Sequence, residues 1–172
     1  MESIKSVKTK TRRGSSRITV LGIGNLLLKD EGIGVHLAQR MAGMMDDANI
    51  KIIDAGTYPD FLSLVDENLD KLIILDAVKT GDRPGTTYRF IPNEVDLEES
   101  PHISVHDVGV AESLGTLALF NKKPKSTVVI GIEPGTIDFG LELSPEVEEK
   151  VPEIIDLVLK EIKETKAMEV DK

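Results

Sequence analysis

From residue 17 onward, short runs of β-branched and aliphatic residues alternate with longer stretches of helical period. That alternation predicts an α/β domain built on a mostly parallel sheet. Residues 17–23 (RITVLGI) read as a buried first strand. Residues 31–45 read as a helix with Ile33, Leu37, Met41 and Met44 on one stripe. A short strand follows at 51–54, then a helix that Thr57 can cap and whose apolar face is Phe61, Leu62, Leu64 and Val65.

Residues 71–78 (KLIILDAV) are apolar almost throughout, as a central parallel strand covered on both faces requires. After a turn at 81–85, residues 86–91 alternate as an edge strand does and are expected to run antiparallel. A helix at 107–120 and a last buried strand at 126–132 follow, and Pro134-Gly135 turns the chain away. The segment 144–166 has the pattern of a long amphipathic helix, which Pro152 is expected to divide or kink. Together these elements predict a three-layer α/β/α sandwich with a mostly parallel five-stranded sheet and one antiparallel strand. A flexible basic tail is expected at 1–16, a single domain at 17–166 and a frayed end at 167–172.

Composition narrows the function. The chain has 172 residues and no cysteine, which excludes disulfides, thiolate metal sites and a cysteine nucleophile. The lack of cysteine fits a reducing interior, and a cytoplasmic location is expected. No apolar run reaches the ~18 residues of a membrane span, and the basic start lacks the apolar core of a signal peptide. Residues 1–17 hold six Lys or Arg and one Glu, leaving −14 on the remainder of a chain whose net charge is −9. An acidic body argues against nucleic-acid binding, because phosphates need a basic face.

The candidate chemistry lies at the ends of the predicted strands. The loop at 22–34 (GIGNLLLKDEGIG) carries two glycines of a dinucleotide-binding pattern, but Leu27 stands at the third position. Asp30 and Glu31 at the following helix start would compete with a pyrophosphate there. They also read as ordinary acids of a first helical turn. Asp54 ends the second strand. Asp76 closes the central strand, where it either caps a turn or needs a charged partner or a metal. Of three histidines, His36 falls beside a helical stripe, His102 sits in a polar loop, and His106 precedes the predicted third helix. Glu31, Asp76 and His106 all follow strands of one sheet and offer oxygen and nitrogen donors suited to a divalent metal. Neither a Ser–His pairing nor an HExxH zinc motif is evident.

Six ordered segments resemble the hydrogenase maturation endopeptidases: GIGNLLLKDEGIGV (22–35), IIDAGT (52–57), ILDAV (74–78), PGTTYRFIPNEV (84–95), SVHDVGVAESL (104–114) and GIEP (131–134). The resemblance spans about 17–163 and implies a parallel-rich sheet between helices with one antiparallel strand. It implies an enzyme that clips the C-terminal extension of a nickel-loaded [NiFe] hydrogenase large-subunit precursor. In that family two acids and a histidine coordinate a metal, and these fall on Glu31, Asp76 and His106. The nickel is expected to be supplied by the substrate, with the three residues gripping it and aligning the scissile peptide. Asp54 is a further candidate for substrate binding or acid–base work. A monomer is expected. The basic tail has no counterpart in the family pattern, and the polar stretch 94–104 leaves the partner-specific surface unassigned. Two other readings remain: a nickel-checking adaptor without catalysis, and a nucleotide-binding domain.

Overall fold

The computed structural model of the chain describes residues 16–57, 60–92 and 105–167. The basic stretch up to residue 15, the segment 93–104 with His102, and residues 168–172 lie outside the described residues.

Among the described residues five strands form one sheet: β1 (Ile18–Ile23), β2 (Ile50–Gly56), β3 (Lys71–Ala77), β4 (Thr87–Phe90) and β5 (Ser126–Ile132). Their spatial order is β2-β1-β3-β5-β4. β1 pairs in parallel with both β2 and β3, and β3 pairs in parallel with β5. Only β4 runs antiparallel, against β5 at the edge, as its alternating sequence predicts. The apolar run of β3 takes the centre and is buried from Leu72 onward.

Among the described residues four helices cover the sheet: α1 (Ile33–Met41), α2 (Phe61–Leu64), α3 (Val105–Leu119) and α4 (Pro145–Ala167). Strand alternation sends side chains to two separate cores. Val20, Ile73, Leu75 and Ile130 pack under α1 and α4. Leu21, Leu72, Ile74 and Val129 pack under α2 and α3. The result is the expected three-layer sandwich.

Several expected boundaries shift for local reasons. The first helix is shorter than 31–45: a 3-10 turn, Lys29–Gly32, precedes α1, which ends at Met41. Met44 therefore leaves the buried stripe and is exposed. Gly43, at φ +81°, has the left-handed conformation that stops helices. Thr57 does not cap α2; the Asp60 carboxylate accepts from the Leu62 amide at 3.1 Å instead. Pro152 does not divide α4, which runs unbroken past it. Its ring faces solvent, while Val147, Val151, Ile154, Val158 and Ile162 hold the helix on the sheet.

The C-terminal helix is also tied electrostatically. Glu161 is buried, and both its oxygens accept from Arg89 of β4 at 2.8 Å, Nε on one and Nη2 on the other. Lys71 at the start of β3 adds a charged hydrogen bond. These bonds, Arg89 first, hold the Glu161 carboxyl down from its ordinary 4.5 to about 2 against the opposing cost of burial. Ser16 belongs to the packed body: it is buried and donates to the Thr165 carbonyl at 3.3 Å.

Candidate active site

The site begins with glycines that let α1 approach the sheet. A Cβ on Gly34 would lie 2.1 Å from the Leu75 carbonyl and 2.3 Å from that of Ile23. Only a hydrogen at that position allows the first turn of α1 to rest on the ends of β1 and β3. Gly24 has φ +146°, and its Cβ would strike the Glu31 carbonyl at 2.1 Å. The glycines thus serve close helix–sheet packing and set the 3-10 turn bearing Glu31 over the carboxyl end of β3.

Asp30 and Glu31 are adjacent but serve different ends. Asp30 is completely buried. One of its oxygens accepts from the Gly135 and Thr136 amides at 2.8 and 2.7 Å and from the Ser144 hydroxyl at 2.6 Å. The other accepts from the Ser144 amide at 2.7 Å. A buried carboxylate is tolerable only with such a full set of donors. Asp30 thereby straps the loop after β5 to the loop after β1. Glu31 is half-buried, with its Oε2 shielded from solvent.

Asp76 is 1% exposed, and its Oδ1 accepts from the Ala77 amide at 2.8 Å. It alternates with Leu72 and Ile74, so its side chain leaves the sheet on the α2/α3 side. That is the side α3 occupies. The chain after α3 closes against the start of β3, with the Lys125 amide donating to the Leu69 carbonyl at 3.0 Å. The 15 residues of α3 span roughly 22 Å, about the length of β3. Its first turn therefore lies toward the carboxyl edge where β3 ends. His106 is the second residue of α3, whose helix starts two residues earlier than predicted. The His106 side chain lies outside the described residues.

Asp54 stands elsewhere. It shares its strand face with Ile50 and Ile52, which pack toward α1 and α4. Its Oδ2 accepts from the Gln39 amide of α1 at 2.8 Å, and Oδ1 from the Gly56 amide at 3.1 Å. Asp54 and Asp76 thus occupy the same edge of the sheet on opposite faces. His36 lies on the α1 side, by the Leu141 backbone, Arg40 and Glu148; burial first, then Arg40, lowers its pKa. Among the described residues no three His, Asp or Glu side chains gather as a metal cage.

Sequence reading passed over two braces. One is Asp30, which it weighed only as a first-turn acid. The other is Glu133 of GIEP, which is buried and accepts from the Thr80 amide and hydroxyl, each at 2.7 Å. The Gly81 amide adds a bond at 3.2 Å, so Glu133 fixes the loop that leaves Asp76. Its signal in sequence is a lone acid directly after a buried strand.

The sequence model of the hydrogenase maturation protease family matches residues 35–161, taking in Asp76 and His106 and starting shortly after Glu31. The hydrogenase 2 maturation protease of Escherichia coli K12 is 34% identical over 152 residues, which cover 87% of this chain and 92% of that protein. The hydrogenase expression/formation protein HupD of Thiocapsa roseopersicina is 34% identical over 150 residues, 86% of this chain and 68% of its own length. Among solved structures, the hydrogenase maturating endopeptidase HybD from E. coli matches with a TM-score of 0.75 at 31% identity, covering 87% of this chain and 93% of that one.

Proposed function

The chain belongs to the hydrogenase maturation protease family, and from that premise we propose that it removes the C-terminal extension of a nickel-loaded [NiFe] hydrogenase large-subunit precursor, reading the substrate's nickel through Glu31, Asp76 and His106. The observation that carries this reading is Asp76, a carboxylate buried at the end of the central strand. The turn bearing Glu31 packs on that strand end, and the first turn of α3, bearing His106, points to the same edge.

Two carboxylates and an imidazole suit a borderline divalent ion such as nickel, and three donors leave it room to keep its ligands in the substrate. Gripping the ion orients the peptide that follows it, which is the entropic part of catalysis. Asp54, on the opposite face and held by Gln39, serves the α1 side of the edge in substrate binding. The enzyme acts in the cytoplasm as a monomer; among the described residues no helix is long and apolar enough to cross a membrane.

The direct test mixes purified protein with nickel-loaded precursor and follows the precursor's mass. Loss of the C-terminal segment is expected. A stable complex with an intact precursor would instead make the protein a nickel-checking adaptor.

A further inference from the structure

The loop after β1 and the loop after β5 meet in a small rigid tip. Leu28 and Gly140 form an isolated β-bridge. The Gly140 amide donates to the Leu27 carbonyl and the Lys29 amide to the Gly140 carbonyl, both at 3.0 Å. Below the bridge, the four hydrogen bonds of Asp30 lock residues 135, 136 and 144 to the same turn. Yet the side chains on and beside this bridge are apolar and face water: Leu27 is 60% exposed, Phe139 83%, Leu141 63% and Ile137 38%.

Single exposed apolar residues are ordinary, but four on one rigid tip, in a chain that is 30% charged, mark a surface made for contact. Rigidity adds to this, because a preformed tip loses little entropy when a partner covers it. Position names the partner. Leu27 lies just ahead of the turn carrying Glu31, at the carboxyl edge where β3 carries Asp76. A protease of this family must bring a protein chain across that edge.

We propose that Leu27, Ile137, Phe139 and Leu141 are the surface on which the folded body of the precursor docks while its tail lies at the site, a proposal that rests on the precursor being the substrate. The tip supplies affinity and the carboxylates supply the reading of the metal. Removing apolar contacts therefore raises KM and spares kcat, because binding lost equally from ground and transition state leaves turnover unchanged.

The experiment compares wild type with Phe139→Ser/Leu141→Ser in steady-state cleavage of nickel-loaded precursor. KM should rise by about tenfold or more, with kcat within about twofold and the melting curve unchanged. Leu27→Ser, a single change at an exposed site, should show a smaller rise and stands in should the double variant melt early. Leu119→Ser/Phe120→Ser removes an equally exposed pair from the end of α3, at the opposite edge of the sheet, and should leave KM as it is. An unchanged KM in the tip variants, with wild type cleaving normally, would overturn the docking surface and leave the protease reading standing. So would a tip variant that loses only self-association in sedimentation, since the occupant would then be a second copy. Failure of wild type to cleave at all would overturn the substrate reading, and the docking proposal with it.

Discussion

At the scale of single residues, burial and hydrogen bonding separate acids that sequence alone treats alike. Asp30 has no exposed surface and four donors directed at its two oxygens. Asp30→Asn replaces one acceptor oxygen with a donor that faces at least one backbone amide whichever way it is turned, and should destabilise the fold by about 2–4 kcal/mol in urea unfolding. A loss below about 0.5 kcal/mol would mean the strap is dispensable. Asp76 and Glu31 stand at one edge of the sheet, Asp76 near the end of β3 and Glu31 on the turn packed against it. Asp76→Asn and His106→Ala should each abolish precursor cleavage while melting close to wild type, whereas His36→Ala should cleave normally. Wild-type turnover by either of the first two would remove that residue from the site. Sequence reading located Asp76 at the carboxyl end of the central strand, because a carboxylate after a buried apolar run is expensive and so conspicuous. It missed the strap of Asp30, whose partners lie more than a hundred residues away and leave no local pattern.

At the scale of elements, hydrophobic patterning located the five strands and four helices of the described residues, since each buries a regular face or, for β1 and β3, both faces. The errors fell where a single residue decides. The helix predicted to reach residue 45 stops at Met41, ahead of a left-handed Gly43. The cap expected at Thr57 belongs to Asp60. α4 tolerates Pro152 because its buried stripe continues on both sides of the proline. The same helix makes a prediction about pH. Glu161 has its folded-state pKa depressed to about 2 from 4.5, chiefly by Arg89. A carboxyl depressed in this way contributes stability above its unfolded value, and that contribution is lost as pH falls from about 4.5 toward 2. It amounts to about 3 kcal/mol. Urea midpoints measured across that window should fall more steeply for wild type than for Glu161→Gln. Parallel curves would show that the ion pairs with Lys71 and Arg89 add nothing beyond packing.

At the scale of the whole molecule, the sheet gathers the carboxyl ends of β1, β3 and β5 into one edge, where β3 carries Asp76 and the adjoining loops carry Glu31 and the apolar tip. Open parallel sheets bind their ligands at that edge. Under the function proposed above, the metal read by this enzyme arrives with the substrate. The three proposed ligands, without a thiolate, would make a site open enough to share nickel with a precursor but too sparse to retain a free ion tightly. The decisive measurement treats the enzyme alone with a chelator, removes the chelator, and then follows by mass spectrometry the cleavage of nickel-loaded and metal-free precursor. Full cleavage of the loaded precursor and none of the metal-free one are expected. Loss of activity after chelation, restored by added zinc on a nickel-free precursor, would show that the enzyme carries its own catalytic metal and would contradict the proposed function.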